Sequence, residues 1–260
     1  MILANDDFSN DVLKNIESIA KDRDFLGLSN MWIRQAIQYN YAHNFSWLGR
    51  PIMQIPQDVY IIQELIWNIK PDLVIETGIA HGGSLIMSAS MLALLDYCEA
   101  IEQGTMLYPK KSKRKVLGID VEIRPHNRIA IDTHPMAHLI EMIEGSSIDI
   151  DIIEHVKTIA KNYKKIIVFL DSNHIHDHVL SELEAYAPLV SIGSYCIVWD
   201  TGVENLPEHL CDNRPWGKGN NPKTAVCEYL KTTHYFKIDK TIAYKLMITA
   251  SMDGFLKRIY

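Results

Sequence analysis

Residues Asp72–Met87 read DLVIETGIAHGGSLIM. A short apolar run ends at Glu76, passes through a turn holding Gly78, Gly82 and Gly83, and continues as a small-residue, apolar stretch to Cys98. The first run has the length of a buried strand, and the second is too long for anything but a helix. The stretch is therefore a strand–turn–helix unit, and the pattern recurs. Upstream, QDVYIIQELIWNIK (57–70) reads as a helix that Pro71 stops. Downstream, VLGID (116–120), HLIEMIEG (138–145), IIVFLD (166–171) and SYCIVWD (194–200) read as strands. Between and after them, DIIEHVKTIAKNY (151–163), HVLSELEAYAPLV (178–190) and PKTAVCEYLKT (222–232) read as helices. Such alternation implies a doubly wound α/β fold, a parallel sheet covered on both faces. Near the end, AYKLMITA (243–250) and FLKRIY (255–260) are strand-like runs joined by SMDG, and Asp-Gly between such runs predicts a hairpin. The expected sheet has seven strands, mostly parallel, with a C-terminal antiparallel hairpin.

The chain has 260 residues, enough for one well-buried core, and a formal net charge of −6 that disfavours nucleic acid as a partner. The one basic run, PKKSKRK (109–115), reads as a solvated loop. No leader-like segment opens MILANDDFSNDVLKN, no apolar run approaches membrane-spanning length, and the cysteines lack zinc or redox spacing. A soluble cytoplasmic protein is expected. Residues 1–50 lie outside the alternation and are read as a helical or irregular extension, with the main domain over 51–260. Trp32, Tyr39, Tyr41, Phe45 and Trp47 concentrate aromatic surface in that extension, which suggests a homo-oligomer.

In an open parallel sheet, ligands bind beyond the carboxyl ends of the strands. Here those ends are IETGIAHGGS, then Asp120, then EGSS (144–147), then Asp171, then Asp200. The glycine turn lets a ligand approach backbone closely, Asp120 can accept from ribose hydroxyls, and Ser146 and Ser147 suit an adenine edge. The spacing is neither G-x-G-x-x-G nor a Walker loop. Asp171 and Asp200 close adjacent strands, so their carboxylates can converge on a hard cation such as magnesium or manganese. His174, His176 and His178 follow Asp171 closely, but a zinc site through His174 and His178 lacks an H-E-x-x-H pattern or cysteine partner.

With these residues in view, the chain resembles the class I S-adenosylmethionine-dependent methyltransferases, with their Rossmann-like sheet. More narrowly, IETGIAHGGSL, GIDVEIRPHNR, IEGSS, LDSNHIHDHVLSELEAYAPLVSIGSY and RPWGKGNNPKTAVCEYL resemble the cephalosporin hydroxylase / rhamnosyl O-methyltransferase family over roughly 47–260. The resemblance implies S-adenosylmethionine near Glu76, Gly78, Ala80 and Ser84, its ribose on Asp120, and its adenine beside Ser146 and Ser147. It also implies a magnesium-like ion on Asp171 and on acids ending the fifth strand. Many relatives carry two consecutive acids there, whereas this chain has Trp199 before Asp200, which leaves Glu204 as a candidate replacement. Macrolide-sugar methyltransferases pair a metal-binding acid with a histidine at the same D-x-x-H spacing, which makes His174 the expected general base. The implied activity is metal-dependent O-methylation of a sugar or glycosylated metabolite. An oxygenase component, or a cofactor-binding subunit without catalysis, are the alternatives. The turn-rich DNRPWGKGNNP (212–222) is a candidate substrate-covering loop, with Trp216 able to stack on a sugar.

Overall fold

A computed structural model describes residues 6–260; positions 1–5, on which the leader reading partly rests, lie outside the described residues. In chain order the elements are α1 (Asp6–Lys21), α2 (Arg23–Gln38), β1 (Phe45–Trp47), β2 (Arg50–Ile52), α3 (Pro56–Ile69), β3 (Leu73–Thr77), α4 (Gly83–Gln103), β4 (Lys115–Asp120) and α5 (Pro125–Asp132). There follow β5 (Ile140–Glu144), α6 (Ile150–Ala160), β6 (Ile166–Leu170), α7 (His176–Tyr186), β7 (Tyr195–Val198), α8 (Pro222–Thr232), β8 (Phe236–Ile238), α9 (Lys240–Leu246) and β9 (Phe255–Arg258).

Seven strands form one sheet in the order β5-β4-β3-β6-β7-β9-β8. The first five are parallel, and β9 runs antiparallel to both β7 and β8. The sheet grows outward in both directions from β3 and β6, so the cleft beyond their ends is the switch point where such folds bind ligands. Alternation along each strand sends side chains to two cores. Val74 joins α3 and α4 residues such as Ile62, Ile66, Leu85 and Leu92 on one face. Leu73 and Ile75 join Val156 of α6, Leu183 of α7 and Val226 of α8 on the other.

The sheet ends as expected in an antiparallel pair, but not with the expected strands. The partner of β9 is β8 at 236–238, while much of AYKLMITA folds as α9. Asp239 caps that helix by accepting from the Thr241 N–H at 3.2 Å, a local signal that outweighs the strand-like composition. Asp253, at φ 64°, still makes the tight turn into β9.

Two further readings change. The extension contains a strand pair: β1 and β2 form an antiparallel hairpin with Leu48 and Gly49 both at positive φ. The basic run before β4 is not wholly solvated, because Arg114 is 8% exposed and ion-paired with Asp96 and Glu99 of α4. Helix α4, of 21 residues, is long and apolar enough to cross a membrane by length and composition alone, and half of its apolar window is buried inside this fold, as in a core helix.

Candidate active site

Register fixes the site. Thr77 pairs with Ile119 on one side and Leu170 on the other, and Leu170 pairs with Val198. The residues that follow, Gly78, Asp120, Asp171 and then Asp200, therefore stand along one rim. Gly78 lies at φ 89°, and a Cβ there would collide with the Asp171 carbonyl oxygen. Glycine is needed for the close approach of two strand ends as well as for the turn. Ala80 and Asp200 hold positive φ without being glycine, at 46° and 55°. Both strained positions sit at this rim, as such residues tend to at functional sites.

One set of donors converges. Ligand atoms of Asp171, His174 and Asp200 all lie within 4.8 Å of one another. His174 Nε2 is 3.2 Å from Asp200 Oδ2, and Gln54 Nε2 donates to Asp171 Oδ2 at 3.1 Å. Burial, with the nearby charges of Asp200, Glu76, Glu182 and Asp58, holds the Asp171 carboxyl well above its ordinary range. Burial also raises Glu76 to about 8, although the Ser84 hydroxyl bonded to it works in the opposite sense. It raises Asp58, which accepts from the Ala250 N–H at 2.8 Å, to about 7. So much buried acid without a cation disfavours its own ionisation, and positive charge brought into the cleft relieves it.

Two cavities meet at the donors. The smaller, about 190 Å³, is lined by the glycine turn (Gly78, Ala80, Ser84) together with Asp171, His174 and Asp200. The larger, about 440 Å³, has the same three donors at one end, while Trp32, Tyr41 and Trp216 line it elsewhere. His43, Met53 and Gln54 border both.

The other expected residues fall as follows. Asp120 carries both backbone amides of the turn: its Oδ2 accepts from Ile79 N at 2.7 Å and Ala80 N at 3.2 Å, and its Oδ1 from Glu122 N at 3.2 Å. It braces the turn, and Glu122, exposed two residues on, is the neighbouring acid at this rim. Ser147 is 3% exposed and bonded to His178, whereas Ser146 is half-buried. Glu204 is not among the converging donors, since its carboxylate accepts from Gly219 N at 2.9 Å and from the Asn221 amide, tying down the 212–222 loop. Trp199 is 5% exposed, packs edge-on to Phe255 at 6.4 Å and lines the larger cavity. Trp216 stands edge-on to His174 at 5.4 Å.

The three histidines separate. His174 joins the acids, and His176 anchors α7 to α8 through Thr224 at 2.8 Å and Glu228 at 3.2 Å. His178 turns to the serines. Gln54, His43 and the α2 residues were missed by sequence reasoning, because no strand end or spacing marks them. The aromatic extension was the only signal. Much of that aromatic surface is used within the chain, with Trp32, Tyr41 and Phe45 stacked edge to face at 5.0 and 5.1 Å.

A family model described as rhamnosyl O-methyltransferase/CmcI matches residues 39–259. A Mycobacterium bovis protein named rhamnosyl O-methyltransferase is 28% identical over 225 residues, 84% of this chain and 82% of that protein. One of the same name from Mycobacterium leprae is 27% identical over 172 residues, 65% of this chain and 66% of that protein. Among solved structures, "CmcI-N160 apo-structure" superposes with a TM-score of 0.54 at 18% identity, covering 84% of this chain and 77% of that one. "cmcI-D160 Mg-SAM" does so at 0.53 and 18%, covering 84% and 78%. Because that family model spans all but the first helices, the chain belongs to the rhamnosyl O-methyltransferase/CmcI family.

Proposed function

We propose that this protein is an S-adenosylmethionine-dependent, divalent-cation-assisted O-methyltransferase acting on a hydroxyl of a sugar or glycosylated metabolite. The observation that carries the reading is the meeting of two cavities at Asp171, His174 and Asp200. A methyl donor in the smaller one and an acceptor in the larger one come together at the only converging donor cluster among the described residues. The relatives named rhamnosyl O-methyltransferase and the neighbour whose title reads Mg-SAM support the same chemistry.

The residues present fit both groups. Two carboxylates, set beside the His174 imidazole in a cleft whose acids are pushed towards the neutral form, suit a magnesium or manganese ion. Glu76, with one buried carboxylate oxygen lacking any partner, suits the amino end of the donor molecule, beside Gly78, Ala80 and Ser84. When bound, S-adenosylmethionine supplies the methyl group, and the cation supplies charge that acidifies and orients the acceptor hydroxyl.

In this reading Asp171 and Asp200 hold the cation, and Gln54 fixes the Asp171 carboxylate by donating to it. Asp200, accepting from His174 Nε2–H, orients the ring and leaves Nδ1 as the nitrogen that takes the acceptor's proton. Asp120 holds the turn amides in place while it, or Glu122 beside it, meets the ribose. Trp32, Tyr41 and Trp216 give the acceptor aromatic walls that exclude water and suit a sugar face. A second reading, favoured by the 4.8 Å clustering, makes His174 the third donor to the cation.

Self-association and a cytoplasmic location belong to the same proposal, the former supported by exposed Phe25, Leu28, Met31 and Tyr39. The central test is methyl transfer from S-adenosylmethionine to a panel of rhamnosides and other glycosides, with chelator and with added magnesium. The expected result is transfer that chelation stops and magnesium restores. Transfer indifferent to chelation overturns the cation's part, and failure to bind S-adenosylhomocysteine overturns the whole reading.

A further inference from the structure

The end of the molecule away from the cleft is basic and apolar, and methyl transfer makes no use of it. Leu73 pairs with Lys115 on one side and Ile166 on the other, so β3, β4 and β6 start level. The loops that enter these strands therefore stand together at the end opposite Gly78, Asp120 and Asp171. Backbone bonds stitch two of them across Asp72, whose N–H donates to the Lys165 carbonyl at 2.8 Å and whose carbonyl accepts from Lys115 N at 2.9 Å. Lys110, Lys111 and Lys113 of one loop thus share an end with Lys161, Lys164 and Lys165 of the other, all exposed. Among the described residues none of the six forms an ion pair. Several acids at this end are spent, Asp96 and Glu99 on Arg114 and Asp72 on the Lys165 N–H at 3.1 Å, while Glu102 and Glu141 are exposed. On a chain of net charge −6, this end is a segregated basic surface.

Apolar surface adjoins the lysines. Helix α4 starts at the cleft and runs back to this end, and Ser90, Leu94, Tyr97 and Ile101 share one of its faces. Trp47 covers the first part of that face, its indole N–H donating to Ser90 Oγ at 2.9 Å. Further along, Leu94, Tyr97 and Ile101, with Met106 and Tyr108 of the loop that follows, are 52% to 73% exposed. Lys111 Nζ lies 5.2 Å from the centre of the Tyr108 ring, so the charge and the apolar strip meet. Contiguous apolar surface rimmed by charge marks a place of contact with something else.

We infer that this strand-entry end docks on an anionic lipid bilayer. The lysines of the two loops bind headgroup phosphates, and the apolar side chains of residues 94–108 enter the boundary beneath them. Charge complementarity selects the partner: an anionic bilayer offers negative charge over an apolar layer, which matches lysines beside exposed Ile, Met and Tyr. The lysine stems reach over such a boundary while their ammonium groups stay with the headgroups. Docked in this way, the protein keeps its cleft at the far end, open to water.

The experiment is sedimentation of the full chain with vesicles of phosphatidylcholine alone and of equimolar phosphatidylcholine and phosphatidylglycerol. Wild type should sediment with the anionic vesicles, stay in solution with the neutral ones, and be released by added salt. The combined variant Lys110→Gln, Lys111→Gln, Lys113→Gln should lower the partition coefficient by about 10-fold or more, and so should Lys161→Gln, Lys164→Gln, Lys165→Gln. Ile101→Ser with Met106→Ser should lower it by about 10-fold. Lys14→Gln, an exposed lysine on α1, should leave it unchanged. Circular dichroism and thermal melting check folding, and the two lysine sets decide separately if one of them does not fold. Wild type that stays in solution with anionic vesicles, or binds both kinds equally, overturns the inference. Folded lysine or serine variants that bind as wild type does also overturn it, as does a Lys14→Gln protein weakened as much as they are. A dimer seen by light scattering that Ile101→Ser with Met106→Ser dissolves, without vesicle binding by wild type, overturns it in favour of a second copy on this face.

Discussion

The imidazole of His174 stands 3.2 Å from the carboxylate of Asp200, although 26 positions separate them and they follow different strands. The pair stands at the junction of two cavities, where the proposal makes His174 the base. Removal of a general base typically costs about 100- to 10,000-fold in rate, so His174→Ala should lose turnover on that order. Affinity for S-adenosylhomocysteine and for manganese should be retained. Loss of manganese binding, seen by electron paramagnetic resonance, would transfer His174 to the role of third donor. Turnover close to wild type, with chemistry limiting, would remove it from both roles.

Burial and the neighbouring acids hold the Asp171 carboxyl well above its ordinary range, and a cation is what relieves it. Asp171→Ala should abolish manganese binding and all response of activity to magnesium, while S-adenosylhomocysteine binding persists. Calorimetry with the metal alone checks this. An unchanged metal isotherm would place the ion elsewhere.

Asp120 and Glu122 can be separated. Asp120→Asn weakens a carboxylate that accepts from two turn amides, at 2.7 and 3.2 Å, so it should lower both thermal stability and cofactor affinity. Glu122→Gln, at an exposed position, should leave the melting temperature within error. If Glu122→Gln lowers S-adenosylhomocysteine affinity by about 10-fold at unchanged stability, the ribose is held there. If it does nothing, the ribose belongs to Asp120.

The buried acids predict the pH dependence of stability in the metal-free protein. Glu76 keeps its proton in the folded state up to about 8 but loses it near 4.5 when unfolded. Between those values the native state binds more protons, so stability falls as pH rises. Asp58, raised to about 7, acts in the same direction. The melting temperature in chelator should therefore decline from pH 5 to pH 8, and Glu76→Gln should flatten the slope. A melting temperature that climbs over this range contradicts the assignment.

Trp32 reaches the larger cavity, the proposed acceptor side, from α2, outside the residues that the family model matches. Trp32→Ala should raise the acceptor KM by about 2- to 10-fold, the worth of an aromatic contact, while leaving the KM for the methyl donor unchanged. An equal change in both would mean that the residue only supports the fold.

The sequence by itself determined the sheet and the identity of most rim residues, because both rest on local rules. Strand length, glycine turns and proline stops make each βα unit legible, and parallel topology puts whatever ends a strand at the ligand edge. Asp171 and Asp200 could be named from such positions alone, and His174 with the help of the D-x-x-H spacing that the resemblance supplied. Composition failed where two local signals competed: AYKLMITA looks like a strand, but the Asp239 cap and packing of α9 against α1 and α3 make much of it a helix. Only tertiary structure decided how polar groups spend their hydrogen bonds. Asp120 could not be seen holding the Ile79 and Ala80 amides, nor Glu204 holding the Gly219 amide, because their partners lie 41, 40 and 15 residues away. That Trp32 and Tyr41 of the aromatic extension line the larger cavity likewise depends on contacts with residues far away in the chain. Side-chain pairing across the sheet edge depends on register and on which loop arrives from afar, and neither quantity is written in any short stretch of chain.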